Sequence, residues 1–104
     1  MLTLKGIQQT MDKLNRRRED NEVVEGETVF DASRGGENRY SYYYKGQLVF
    51  TFGITRSPRQ KSRQFHYVPR QMHLQRQEYR RLYNCPMSKR KYNEKLIAEG
   101  KIRQ

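Results

Sequence analysis

Two alternating runs meet at Lys45-Gly46 in the stretch NRYSYYYKGQLVFTF, residues 38–52. Alternation at period two marks a half-buried strand, and a glycine-containing pair between two such runs marks a hairpin. No other feature constrains the chain as strongly. Residues 39–44 and 47–55 must be antiparallel neighbours, and the rest of the chain must cover one of their faces. A two-residue turn pairs Tyr44 with Gln47, Tyr43 with Leu48, Tyr42 with Val49 and Ser41 with Phe50. Alternation then sends Ser41, Tyr43, Leu48, Phe50, Phe52 and Ile54 to the core side. It sends Tyr40, Tyr42, Tyr44, Gln47, Val49 and Thr51 to the other. A three-residue turn would shift the register by one and set the three tyrosines beside Leu48 and Phe50. Lys-Gly is the only clear turn pair and favours the even turn.

The flanking segments supply the cover. Leu4, Ile7, Met11 and Leu14 recur at spacings of three and four, which predicts a first helix with Thr3 as its N-cap and Arg16, Arg17 and Arg18 at its C-terminus. EDNEVVEGE reads as a loop running into a strand at residues 27–32, and SRGGEN reads as a turn. FHYV, residues 65–68, reads as a third hairpin-linked strand ended by Pro69, with a short helical turn at residues 70–74. Residues 75–84 predict a stronger helix, with Tyr79, Leu82 and Tyr83 inward and Arg76 and Arg80 outside. Ser88 caps a final helix closed by Gly100, with Met87 and Tyr92 at the positions of a hydrophobic staple and Tyr92, Leu96 and Ile97 inward. The fold class is α+β: an N-terminal helix, a three-stranded antiparallel sheet and C-terminal helices, in one domain of 104 residues.

Charge narrows the function. The net charge is +11. Residues 1–33 hold five Lys or Arg against seven acids, a net of −2, so residues 34–104 carry +13. A field of that kind favours polyanions, most often nucleic acid. A mean hydropathy of −1.18 and the absence of any apolar run of about 20 residues predict no membrane span. No signal-peptide core follows Met1, and the chain reads as cytoplasmic. The single cysteine, Cys85, excludes an internal disulfide and reads as a small buried hydrophobe. Phosphate-loop, dinucleotide and zinc patterns are absent, so no cofactor or metal is expected.

Three constellations are candidates for function. Tyr40, Tyr42 and Tyr44 on the outer sheet face, with Arg39, Arg56, Arg59, Lys61 and Arg63, combine stacking platforms with phosphate-tracking cations, as single-strand binding requires. The same aromatic face would equally suit a protein partner or self-association. His66 and His73 are the two imidazoles, and His66 is the candidate for acid–base cleavage of RNA. The two helices around NCPMSKRKY form the third. They suggest a helix-turn-helix with Lys89, Arg90, Lys91 and Lys95 on DNA, although the turn Cys-Pro-Met lacks the usual glycine.

The stretches LKGIQQTMDKL, SRGGENRYSYYYKG and FHYVPRQMHL, within residues 3–85, resemble small HicA-like proteins, whose element order is that of the double-stranded RNA-binding fold. The best-known members are toxins that cleave mRNA, and their sheet face meets the antitoxin. The resemblance implies a compact fold that touches RNA. The family's catalytic histidine follows the glycine-rich turn, where this chain reads Gly35-Gly36-Glu37-Asn38-Arg39.

The expectation is therefore a non-catalytic nucleic-acid-binding domain, with RNA preferred over DNA. Its phosphate contacts are Arg56, Arg59, Lys61, Arg63, Arg76, Arg80, Lys89 and Arg90, and its stacking residues are Tyr40, Tyr42 and Tyr44. The alternatives are a HicA-like ribonuclease using His66, a small inhibitor or adaptor of phage or mobile-element type that binds an acidic site on a host protein, and the helix-turn-helix.

Overall fold

The structure, a computed structural model, describes residues 3–32, 37–55, 65–84 and 86–103. Helix α1 (Leu4–Leu14) starts where Thr3 Oγ1 accepts the Gly6 N–H at 3.0 Å. Its stripe of Ile7, Met11 and Leu14 is buried, and Leu4 is partly exposed at the first turn. The helix ends at Asn15, so the arginine run lies beyond it, and Arg18 enters a strand. Strands β1 (Arg18–Glu19) and β2 (Glu22–Val23) form a miniature hairpin inside the stretch read as loop. Its turn residues Asp20 and Asn21 have φ of 51° and 64°, the left-handed pair that a tight two-residue hairpin needs.

The main sheet has the order β3-β4-β5, all antiparallel: β3 (Glu27–Ala32), β4 (Glu37–Tyr44) and β5 (Gln47–Thr55). Lys45 and Gly46, at φ of 50° and 79°, make the expected two-residue turn, and Tyr44 and Tyr43 face Gln47 and Leu48 as expected. The register then departs from expectation. Tyr42 faces Phe50, Ser41 faces Thr51 and Tyr40 faces Phe52, because Val49 is an extra residue on β5. One bulge resets the alternation. Tyr40, Tyr42 and Tyr44 therefore join Phe50, Phe52 and Ile54 on the helix-covered side and are at most 8 % exposed. Tyr43, Leu48 and Ser41 turn outward, with Ser41 Oγ and Thr51 Oγ1 at 3.0 Å.

The reason is aromatic area. An unbulged hairpin that buried the phenylalanines would leave three phenol rings in water. Burying a large apolar side chain is worth about 1.5–3 kcal/mol. With the bulge, ring pairs Tyr40–Phe52 and Tyr42–Phe50 each form at 5.5 Å between centroids. The hydroxyls keep partners: Tyr42 donates to Asn93 Oδ1 at 2.6 Å. Gly26, at φ of 122°, makes room for that phenol, since a Cβ there would lie 2.1 Å from the Tyr42 oxygen.

FHYV is not a strand. Phe65 and Val68, three residues apart, are both buried, and Tyr67 opens helix α2 (Tyr67–Gln71). Pro69 sits in its first turn, where a helix has no intrahelical use for the missing N–H. The helix closes in a Schellman motif with His73 in the left-handed position at φ of 63°. There Leu74 N–H donates to Pro69 O at 2.9 Å and His73 N–H to Arg70 O at 3.0 Å. Helix α3 (Arg76–Tyr83) begins with a capping box between Gln75 and Glu78. It buries Tyr79 and Leu82, while Tyr83, expected inward, is 41 % exposed. Helix α4 (Lys89–Ala98) is capped by Ser88, whose oxygen accepts the Lys91 N–H, and ends before Gly100 at φ of 75°. Tyr92 and Leu96 are buried at its centre and Ile97 is partly buried, as expected.

Candidate nucleic-acid interface

The expected stacking platform does not exist as a surface. Tyr40, Tyr42 and Tyr44 lie beneath the helices, so neither bases nor a partner chain can reach them. Of the cations expected beside them, Arg39 is exposed and pairs with Glu37 at 3.6 Å, while facing Asp31 across the sheet. Arg56, Arg59, Lys61 and Arg63 lie outside the described residues, as does Cys85.

Lys89 is also not a phosphate contact. It is fully buried. Its amine donates to Arg16 O at 2.5 Å, Gly26 O at 2.6 Å and Val24 O at 3.4 Å. Burial pushes its pKa below the usual lysine value, against the pull of Glu19, Glu25 and Glu27. The N-terminus of α4 is held by Glu19, whose carboxylate accepts the Lys89 and Arg90 amides at 2.9 and 3.0 Å. A carboxylate at that end complements the helix dipole. The β1–β2 hairpin delivers it, a role that Asp20-Asn21 could have signalled in the sequence.

Two of the remaining α4 cations are compensated, and Lys91 is exposed. Arg90 pairs with Glu22 at 2.8 Å. Lys95 pairs with Glu78 at 3.1 Å and also with Glu99. Burial works to lower the Lys95 pKa, but the hydrogen bonds with Glu99 and Glu78 outweigh it and raise it. A helix-turn-helix that reads DNA through Lys89, Arg90, Lys91 and Lys95 keeps only Lys91 as an exposed cation without an ion pair among the described residues. Lys13, another buried amine, donates to Leu82 O at 2.7 Å and Met87 O at 2.8 Å, pinning α1 to the end of α3.

What the fold does bring together is a cleft of about 320 Å³ between α2 and α3. Arg76, Arg80, Tyr83 and Asn84 line it from α3 and its end, His66 and Pro69 from the α2 side, and Tyr79 also lines it. Arg76 and Arg80 are both exposed and one turn apart. No carboxylate lines the cleft, and Arg80 has no ion-pair partner among the described residues. Two guanidinium groups in a concave site suit a phosphate, because each presents a planar fork of donors.

His66 is exposed, and its Nδ1 lies 2.6 Å from Arg76 Nη2. Guanidinium has no acceptor, so Nδ1 must accept, and the neutral ring carries its proton on Nε2. That tautomer donates from Nε2 and cannot take a proton there as a base. His73 is a structural residue: its Nε2 lies 2.9 Å from Val49 O, the bulge carbonyl, which only a ring N–H can satisfy. Sequence reading found Arg76, Arg80 and His66 but not their meeting place. The stripe Arg76, Arg80, Tyr83 at spacings of four and three was the available signal, and assigning Tyr83 to the core concealed it.

Among the described residues no three His, Cys, Asp or Glu side chains gather as a metal site, and no helix is long and apolar enough to cross a membrane. No protein-family model matches this chain, and no curated protein or solved structure does.

Proposed function

We propose that this chain is a non-catalytic nucleic-acid-binding domain that prefers RNA. The α2–α3 cleft carries the reading: two guanidinium groups without an ion-pair partner among the described residues, in a concave site that no described carboxylate lines, on a chain of net charge +11. Phosphate contact by Arg76 and Arg80 fits that arrangement. The sequence of α1, the three main strands and the C-terminal helices is the element order of the double-stranded RNA-binding fold. Together with the HicA-like resemblance, it favours RNA over DNA. Cleavage is not part of the proposal. Among the described residues the cleft holds one imidazole, whose Nδ1 is engaged by Arg76, and no carboxylate or second imidazole lines it to pair with His66, whereas RNA cleavage needs a base and an acid.

The test is titration of labelled single-stranded RNA, double-stranded RNA and double-stranded DNA at two salt concentrations. Neutralising about 6–10 phosphates weakens binding by about 10³- to 10⁵-fold between about 50 and 200 mM salt. The expected result is a salt-sensitive affinity that is highest for RNA, with the RNA recovered intact. A flat salt titration overturns the proposal. Cut RNA that stays whole with His66→Ala would replace it with a ribonuclease.

A further inference from the structure

Arg76, Arg80 and Tyr83 form one stripe along α3, about 10 Å long at 1.5 Å per residue. A duplex would satisfy only part of it. Its outer surface offers phosphates for the two guanidinium groups, but its bases stay stacked inside. The Tyr83 ring would be left without a partner.

That ring is placed for use. It is 41 % exposed, yet it rests on the first turn of α1. A Cβ built on Gly6 would lie 3.2 Å from Tyr83 Cε2 and 3.1 Å from Thr3 Oγ1, so the missing side chain at position 6 is what lets the ring settle there. Gly6 is buried, and its N–H is held by Thr3 Oγ1. A ring already held against a helix loses little freedom when a flat ligand stacks on it. The cleft beside it, at about 320 Å³, is at the small end of ligand pockets and holds one unit rather than a groove. His66, as the Nε2–H tautomer, adds a donor, and the Asn84 amide adds both a donor and an acceptor.

Resting on the nucleic-acid reading above, we propose that the α2–α3 cleft takes one unpaired nucleotide of a single strand. Its phosphate lies between Arg76 and Arg80 and its base stacks on the Tyr83 ring. Sequence-tolerant stacking on an aromatic platform beside cations is how single strands are held, and unpaired positions are where proteins most often engage RNA.

The experiment measures fluorescence anisotropy with a labelled single-stranded RNA, its duplex, and a strand of the same phosphate count lacking bases. Wild-type protein is compared with Tyr83→Leu, Tyr83→Phe and the double variant Arg76→Gln/Arg80→Gln. Tyr83→Leu is expected to weaken single-strand binding by about 5- to 150-fold, the loss of one stacked base, while Tyr83→Phe stays within about twofold of wild type. Duplex affinity and the salt slope should not change in either. The abasic strand should bind wild-type protein as weakly as the intact strand binds Tyr83→Leu, a comparison that needs only the wild-type fold. The arginine double variant should weaken both strand types and lower the salt slope by about two. Equal wild-type affinity for the abasic and intact strands overturns the unpaired-nucleotide proposal, and salt-sensitive binding would then leave the nucleic-acid reading standing. Wild-type protein that binds none of the three probes overturns both.

Discussion

An ammonium group enclosed by three main-chain carbonyls makes the start of α4 a fixed point. Lys89 joins the α1–β1 connection, the β2–β3 connection and α4 through Arg16 O, Val24 O and Gly26 O. Lys89→Met keeps the stem and removes the donors, leaving those carbonyls unsatisfied. The expected cost is about 2–4 kcal/mol. Lys91→Met, exposed on the same helix, should stay within about 0.5 kcal/mol. Midpoints of guanidinium unfolding check both. The buried titratable residues also set the alkaline limit. Burial raises the pKa of Tyr40, Tyr42, Tyr79 and Tyr92 in the fold, whereas the unfolded phenols ionise near 10.0. Above that pH the folded chain holds more protons than the unfolded one, so stability falls as pH rises. Lys89 acts in the opposite sense. Its folded pKa is depressed by burial below 10.5, so its share of stability rises with pH up to the unfolded value. Four phenols outweigh one amine, and a steep loss of stability above about pH 10 is expected. Part of the phenolate absorbance should appear only as the circular dichroism of the fold is lost. Complete phenol ionisation with the native spectrum intact would contradict this.

The bulge on β5 decides which face of the hairpin is core, and His73 holds it. This residue has two jobs with opposite energetics. Its ring N–H satisfies Val49 O at 2.9 Å, while its backbone occupies a left-handed position that favours glycine. His73→Ala loses the bond and keeps the strain, for an expected loss of about 1–2 kcal/mol. His73→Gly loses the bond but relieves the strain, so it should be the more stable of the two variants by about 1 kcal/mol. Thermal or denaturant unfolding of the pair measures this. The contrast also marks what was legible in the sequence. Thr3, Ser88 and Gly100 are local signals, and the helix ends they mark lie where the sequence places them. Lys45-Gly46 is local too, and the turn is right. The bulge is not local: it exists because three tyrosines bury better against the helices than in water, a balance that involves residues more than 40 positions away, such as Asn93. FHYV failed for a related reason. Four residues cannot distinguish period two from a helical turn, and Pro69 is acceptable both after a strand and inside the first turn of α2.

At the scale of the whole molecule, formal charge overstates the charge available to a polyanion. Lys13 and Lys89 are buried against carbonyls, and Arg90 and Lys95 are neutralised by Glu22, Glu78 and Glu99. The C-terminal helix carries four cations, yet only Lys91 is exposed without an ion pair among the described residues, so it contributes little net field. The shorter α3, with Arg76 and Arg80 on a cleft that no described carboxylate lines, contributes more. Counterion release separates the two, because the dependence of log affinity on log salt falls by about one for each phosphate contact removed. Arg90→Gln and Lys95→Gln together should leave the slope for RNA binding within about half a contact of wild type, whereas Arg76→Gln and Arg80→Gln together should lower it by about two. Neutralising α4 removes cations whose charge is already offset by neighbouring carboxylates. Neutralising α3 removes cations that only a ligand offsets. If the α4 pair lowers the slope as much as the α3 pair, its ion pairs open on binding and the basic helix is the contact surface after all. If neither pair changes it, the phosphate contacts lie elsewhere on the chain, and the cleft is not the anchoring site.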